Sequence, residues 1–110
     1  MNGSITIKYL QEYIKSKDNN PDMVKDYFLK LSEEVGELSM AIRKNVAPAT
    51  EAEIKGSKEE EIWDVIYYAL AIANCYDIDL EKWIPVKEKL NNKKYNTGIE
   101  FKPYNWKQSS

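Results

Sequence analysis

The chain has 110 residues, 43% hydrophobic and 31% charged, with a formal net charge of −2 and no histidine. That length suits one domain with a real core, and the missing histidines exclude Ser-His and Cys-His nucleophilic sites, zinc-hydrolase ligand sets and Glu-x-x-His di-iron bundles. No apolar run approaches the ~18 residues of a membrane span, no signal peptide is visible, and Cys75 as the only cysteine permits no internal disulfide, which fits a reducing, cytoplasmic setting.

Glycine and proline are scarce and strand-like alternation is weak, so the chain is expected to be all-α. A first helix is expected from about Thr6 to Lys17, with Ile7, Leu10 and Ile14 on one side. Asn19, Asn20 and Pro21 break it; Asn20 can cap the next helix and Pro21 suits its first position. That second helix is expected from Pro21 to about Lys44, with an apolar stripe of Val24, Phe28, Leu31, Val35, Leu38 and Ile42. At about 100° per residue, Glu34 lies beside the stripe and Glu37 roughly 60° further round. Gly36 costs roughly 1 kcal/mol against alanine inside a helix. The expected reason for it is close approach of another helix or a ligand, with simple tolerance as the alternative.

Val46 to Gly56 is expected to be a loop, with Thr50 and Glu53 as a small capping box within it. Ser57 and Glu60 form a second capping box that starts a third helix, Lys58 to about Tyr76. Beyond Asp64 that helix is apolar on nearly all sides, which implies burial between helices or against a second subunit. Cys75 is expected to be a small core residue there. Asp79 caps a fourth helix, Leu80 to about Lys94, in which Pro85 predicts a kink or a later start. The helical core is thus expected over about residues 5–96. From Gly98 onward an irregular tail carries Phe101, Tyr104 and Trp106, which suggest docking.

Two acidic phrases stand out: Glu33-Glu34-Val35-Gly36-Glu37 and Glu61-Ile62-Trp63-Asp64. Residues three apart on a helix are surface neighbours, so each phrase presents a carboxylate pair. Brought together, the pairs would place four carboxylates around one point, where like charges repel unless a cation lies among them. An all-oxygen set suits a hard divalent ion, Mg²⁺ or Mn²⁺. The competing explanation is solvated surface charge, and for Glu59, Glu60 and Glu61 the preference of helix N-termini for acids. It does not cover Asp64, set among Trp63, Val65 and Ile66. Acids dominate between Glu33 and Asp64, while Lys82 to Lys107 is rich in lysine. This profile suits a polyanion held partly through metal and is a poor one for duplex nucleic acid. With no Gly-rich phosphate loop, metal and lysines would grip the phosphates.

The combined pattern of two acids, two residues and a glutamate, then a spacer and Glu-x-x-Asp, resembles the signature of the MazG-like all-α nucleoside triphosphate pyrophosphohydrolases. The resemblance covers roughly residues 5–96 and is closest to the short single-domain members. It implies a four-helix-bundle-like fold with helices packing across a homo-oligomer interface, as dimer or tetramer. It implies hydrolysis of a (d)NTP to (d)NMP and pyrophosphate with Mg²⁺ and a housecleaning role. It also implies metal ligands at Glu34, Glu37, Glu61 and Asp64, with Glu33 as a helper. Glu33 or Glu34 would orient or deprotonate the water. Tyr68 matches a nucleotide-pocket position. Lys93-Lys94-Tyr95 stands where relatives carry an Arg-Tyr pair, and lysine lacks the bidentate grip of arginine. Lys30, one turn before Glu34, is a candidate phosphate ligand or an ion-pair partner; Phe28, Trp63 and Tyr68 are candidates to stack on the base or to pack in the core. The alternatives are a dUTP, dCTP or phosphoribosyl-ATP hydrolase of the same kind, and a non-catalytic helical interaction module.

Overall fold

A computed structural model describes residues 3–102, and every regular element among them is helical. In chain order these are α1 (Ile7–Lys17), a 3₁₀ turn (Pro21–Met23), α2 (Val24–Arg43), a 3₁₀ turn (Glu51–Glu53), α3 (Lys58–Cys75) and α4 (Leu80–Lys94). They fall into two compact units, one ending at Ile78 and the other beginning at Asp79. Among the described residues no helix is long and apolar enough to cross a membrane.

Local chemistry sets the boundaries. Thr6 accepts from the Tyr9 amide at 3.0 Å and caps α1. Asn20 accepts from the Asp22 amide at 3.1 Å, but the residues it caps, Pro21 to Met23, form a separate 3₁₀ turn, so α2 begins at Val24 and not at Pro21. Three of the four helix ends share one device. Asn45, Asp77 and Asn96 each adopt positive φ just after α2, α3 and α4. The following amides then reach back to carbonyls inside the helix, as Ile78 does to Ala73 at 2.9 Å. Asn and Asp tolerate this left-handed geometry better than other non-glycine residues.

In the first unit α3 packs against both α1 and α2, most extensively against α2. Ile14, Tyr27, Ala41, Leu70, Ala71 and Ala73 form its buried apolar core. Two buried amides join α1 to α3: Gln11 donates to Asn74 at 3.1 Å, and Asn74 donates back to the Gln11 carbonyl at 2.9 Å. Cys75 is half-buried and not part of the core, its thiol pushed up by burial.

The packed face of α2 is not centred on the stripe seen in the sequence. Tyr27 and Ala41 are buried, and Leu31, Glu34 and Leu38 are half-buried, whereas Phe28, Val35 and Ile42 are 59%, 50% and 58% exposed. The inward face is therefore turned about 60° from the stripe. An apolar band this wide serves α3 with one edge and leaves the other edge without a partner in this chain. α3 likewise exposes Ile62 and Ile66, and Tyr76 just after it is exposed, so its expected burial on all sides is not met within one chain. Gly36 is exposed, and a Cβ placed there would meet nothing within 4 Å. The expected close approach is absent among the described residues.

In the second unit Asp79 accepts from the Glu81 amide at 3.0 Å and caps α4, which runs through Pro85 without the later start that the proline predicted. Residues Gly98 to Phe101 share a groove of about 610 Å³ with Pro85, Lys89 and Lys93. Tyr104 and Trp106 lie outside the described residues.

Candidate active site

The site forms where α2 and the first turns of α3 meet. The three consecutive acids that open α3 have different partners. Glu59 accepts from the Ala49 amide at 3.1 Å and ties down the preceding loop. Glu60 accepts from the Gly56 amide at 2.7 Å, while its own amide donates to Ser57 at 3.0 Å, so it completes the cap. Helix-terminus chemistry thus accounts for these two. Glu61 is only 6% exposed, and its Oε2 is buried without a hydrogen-bond partner. An unpartnered buried carboxylate oxygen is costly.

Glu61 faces Glu34 from α2 and Asp64 one turn further along α3. Each offers a carboxylate oxygen, and the three oxygens lie within 4.8 Å of one another. Burial first, and then the charges of Glu34 and Asp64, push the Glu61 carboxyl up to about 7. Burial also raises Glu34, helped by a hydrogen bond and the charge from Asp64 and by the charge of Glu37, against a smaller opposing pull from Lys30. The donor set is all oxygen and anionic, with one oxygen lacking any partner, and so fits a hard divalent cation.

Glu37 is exposed and outside this group of three, because it lies about 60° beyond Glu34 and away from α3. Glu33 is exposed too, with Lys30 at 4.0 Å. Trp63 and Tyr68 line a pocket of about 320 Å³ with Glu34 and Asp64. Phe28 instead belongs to an apolar groove with Leu29, Ile72 and Tyr76. Lys93 and Lys94 belong to the second unit, where the Lys94 ammonium lies 5.2 Å from the centre of the Tyr95 ring.

Lys17 and Tyr67 also line the pocket and were not singled out by the sequence. Tyr67 packs edge-on to Trp63 at 5.9 Å and to Tyr68 at 5.1 Å between ring centres. Its hydroxyl donates to Asp18 Oδ2 at 3.1 Å, while Tyr27 donates to Oδ1 at 3.0 Å. One carboxylate thereby pins the end of α1 to both α2 and α3. The only signal was indirect: Tyr67 stands one turn after Trp63, and Asp18 follows the first helix.

The sequence model of the MazG nucleotide pyrophosphohydrolase domain matches residues 23–97. The chain belongs to the MazG family. Two crystal structures of iMazG from Vibrio DAT 722 are similar to it. The Ntag form is 47% identical with a TM-score of 0.76, covering 84% of this chain and 99% of that one. The Ctag form is 46% identical with a TM-score of 0.75, covering 80% and 99%. No curated protein matches the chain. MazG membership accords with the all-helical fold and with acids from two helices meeting at one point.

Proposed function

We propose that this MazG-family chain is a Mg²⁺-dependent nucleoside triphosphate pyrophosphohydrolase, with Mn²⁺ as a substitute, that releases a nucleoside monophosphate and pyrophosphate. The observation that carries the reading is the buried Glu61 oxygen without a partner beside Glu34 and Asp64. Glu34, Glu61 and Asp64 would hold the ion, with Glu37 as a further carboxylate from the exposed side. A divalent ion bound there supplies neutralisation of phosphate charge and a lower pKa for the attacking water.

The remaining roles fall to the chain itself. Water attacks the α-phosphorus, the bond to the bridging oxygen breaks, and pyrophosphate leaves with that oxygen. Glu33 or Glu34 orients the water or accepts its proton. Lys30 supplies positive charge on the phosphate side, a role supported by its pull on both Glu34 and Tyr68. Trp63 and Tyr68 offer aromatic faces to the base, and Lys93 and Lys94 are proposed as further phosphate contacts. Self-association is proposed from the exposed band of Phe28, Val35 and Ile42 with Ile62 and Ile66.

The test is incubation of the purified chain with each (d)NTP and Mg²⁺ in ¹⁸O-labelled water. Label in the monophosphate supports attack at the α-phosphorus. Label in pyrophosphate, release of orthophosphate, or no turnover of any nucleotide refutes the reading. The same assay, with phosphoribosyl-ATP added to the panel, separates dUTP, dCTP and phosphoribosyl-ATP as preferred substrates.

A further inference from the structure

The pocket beside the carboxylates carries a cation that the hydrolysis does not use. Lys17 is the last residue of α1 and lines the pocket with Glu34 and Asp64. Its ammonium lies 5.0 Å from the centre of the Tyr13 ring and 5.3 Å from that of Tyr67, and donates to the Tyr13 hydroxyl at 3.4 Å. Such stacking holds a cation over ring faces without neutralising it. Among the described residues Lys17 has no ion-pair partner. Its backbone is fixed, because the next residue, Asp18, is bonded to Tyr27 and Tyr67.

The carboxylates of Glu34 and Asp64 and the rings of Trp63, Tyr67 and Tyr68 line one pocket. Tyr67 packs edge-on to both other rings, and Lys17 stacks on Tyr67. A triphosphate held at the carboxylates with its base against these rings would bring an edge of that base toward Lys17. A lysine ammonium has three donors and no acceptor. With one aimed at Tyr13, two remain for a ligand that can only accept. A carbonyl oxygen takes a charge-assisted hydrogen bond from it, whereas an exocyclic amino group at the same place would face donor to donor.

We propose that Lys17 is a base-specificity residue, donating to a carbonyl oxygen at the edge of the nucleobase and favouring keto bases over their amino counterparts. This rests on the nucleotide reading of the site. Two matched pairs, dUTP with dCTP and ITP with ATP, differ by this exchange and make the test. Steady-state hydrolysis is measured with Mg²⁺ for the wild type, Lys17→Met and Lys17→Arg, with circular dichroism melts as a check that the exposed substitutions leave the fold intact. The wild type should prefer the keto member of each pair. Lys17→Met should lower the keto-to-amino ratio of kcat/KM on the order of tenfold, chiefly through KM, and Lys17→Arg should retain it.

An unchanged ratio in Lys17→Met, or a wild-type preference for the amino member, overturns the proposal. So does an equal loss on deoxyribose triphosphate without a base, which would make Lys17 a phosphate contact. Absence of any turnover by the wild type overturns the pyrophosphohydrolase reading and this one with it. Wild-type turnover with an unchanged ratio removes only the role of Lys17.

Discussion

Replacing Glu61 by glutamine should stabilise the metal-free protein, although it removes a buried native group. The carboxyl rises from an ordinary 4.5 to about 7 on folding because burial and the charges of Glu34 and Asp64 oppose its ionisation. The sign follows from proton counting. Below pH 4.5 the group is protonated in both the unfolded and folded states. Between 4.5 and about 7 the unfolded chain has lost the proton and the folded one keeps it, so stability falls as pH rises. Above about 7 the penalty is constant, at roughly 3 kcal/mol. Glutamine at position 61 is neutral at every pH, and its amide can donate to the carboxylates of Glu34 and Asp64. In EDTA at pH 8, Glu61→Gln should therefore exceed the wild type by about 3 kcal/mol, or on the order of 10 °C in Tm. Near pH 4.5 the two should converge. With Mg²⁺ at pH 8 the wild type should gain stability through linkage and the variant should not. Urea unfolding followed by tryptophan fluorescence measures all of this. Equal stabilities at pH 8 in EDTA, or a less stable variant, would refute the reasoning that Glu61 is a buried charge awaiting a cation.

Mg²⁺ binding by the wild type should weaken about tenfold per pH unit below 7, since the ion must displace the Glu61 proton; titration calorimetry at pH 6 and 7.5 would expose a flat profile. Asp64→Asn should lower kcat by a factor of a hundred or more and abolish the Mg²⁺-dependent rise in Tm, whereas turnover at the wild-type level would remove Asp64 from the site. Gly36→Ala should stabilise by about 0.5–1 kcal/mol, because nothing lies within 4 Å of the added methyl; a drop in Tm contradicts that open surroundings. Asp18→Ala should lower stability by about 2 kcal/mol in urea titrations, as two tyrosine hydroxyls lose their acceptor. Phe28→Glu, at an exposed position, should shift light-scattering mass toward that of a single chain; a wild type already at 12.8 kDa argues against self-association.

Much of the fold was legible because helix ends are decided locally. Ser57 and Asp79 are caps in both the sequence and the structure, and Thr6, expected as the start of the first helix, caps it. The acids of α2 and α3 were legible for a different reason: two pairs spaced three apart recur on two helices, and Asp64 stands among Trp63, Val65 and Ile66, where helix-end chemistry does not account for it. What periodicity could not supply was the direction in which α2 turns. A stripe of Val24, Phe28, Leu31, Val35, Leu38 and Ile42 describes where apolar side chains lie, not which edge of the band a particular helix covers. Tyr27 and Ala41 were overlooked because one carries a hydroxyl and the other is small, yet they are the residues that α3 buries. Lys17 and Asp18 stayed hidden because their roles depend on α1 ending beside Tyr67, a long-range fact that no local pattern encodes.

That same turn of α2 links the core to the chemistry. With the helix centred on its apolar stripe, Glu34 would sit at the edge of the packed face and Glu61 would lose its anionic neighbour from α2. Turned by about 60°, α2 brings Glu34 over the start of α3 and leaves Phe28, Val35 and Ile42 outward. Glu61 then has anionic neighbours from both helices, which destabilise the metal-free fold and would favour a bound cation. The exposed apolar edge and the strained carboxylate group are thus two consequences of one packing choice. Each weakens the isolated chain, and each is relieved by something the chain would bind: a second copy for the first, a divalent ion for the second.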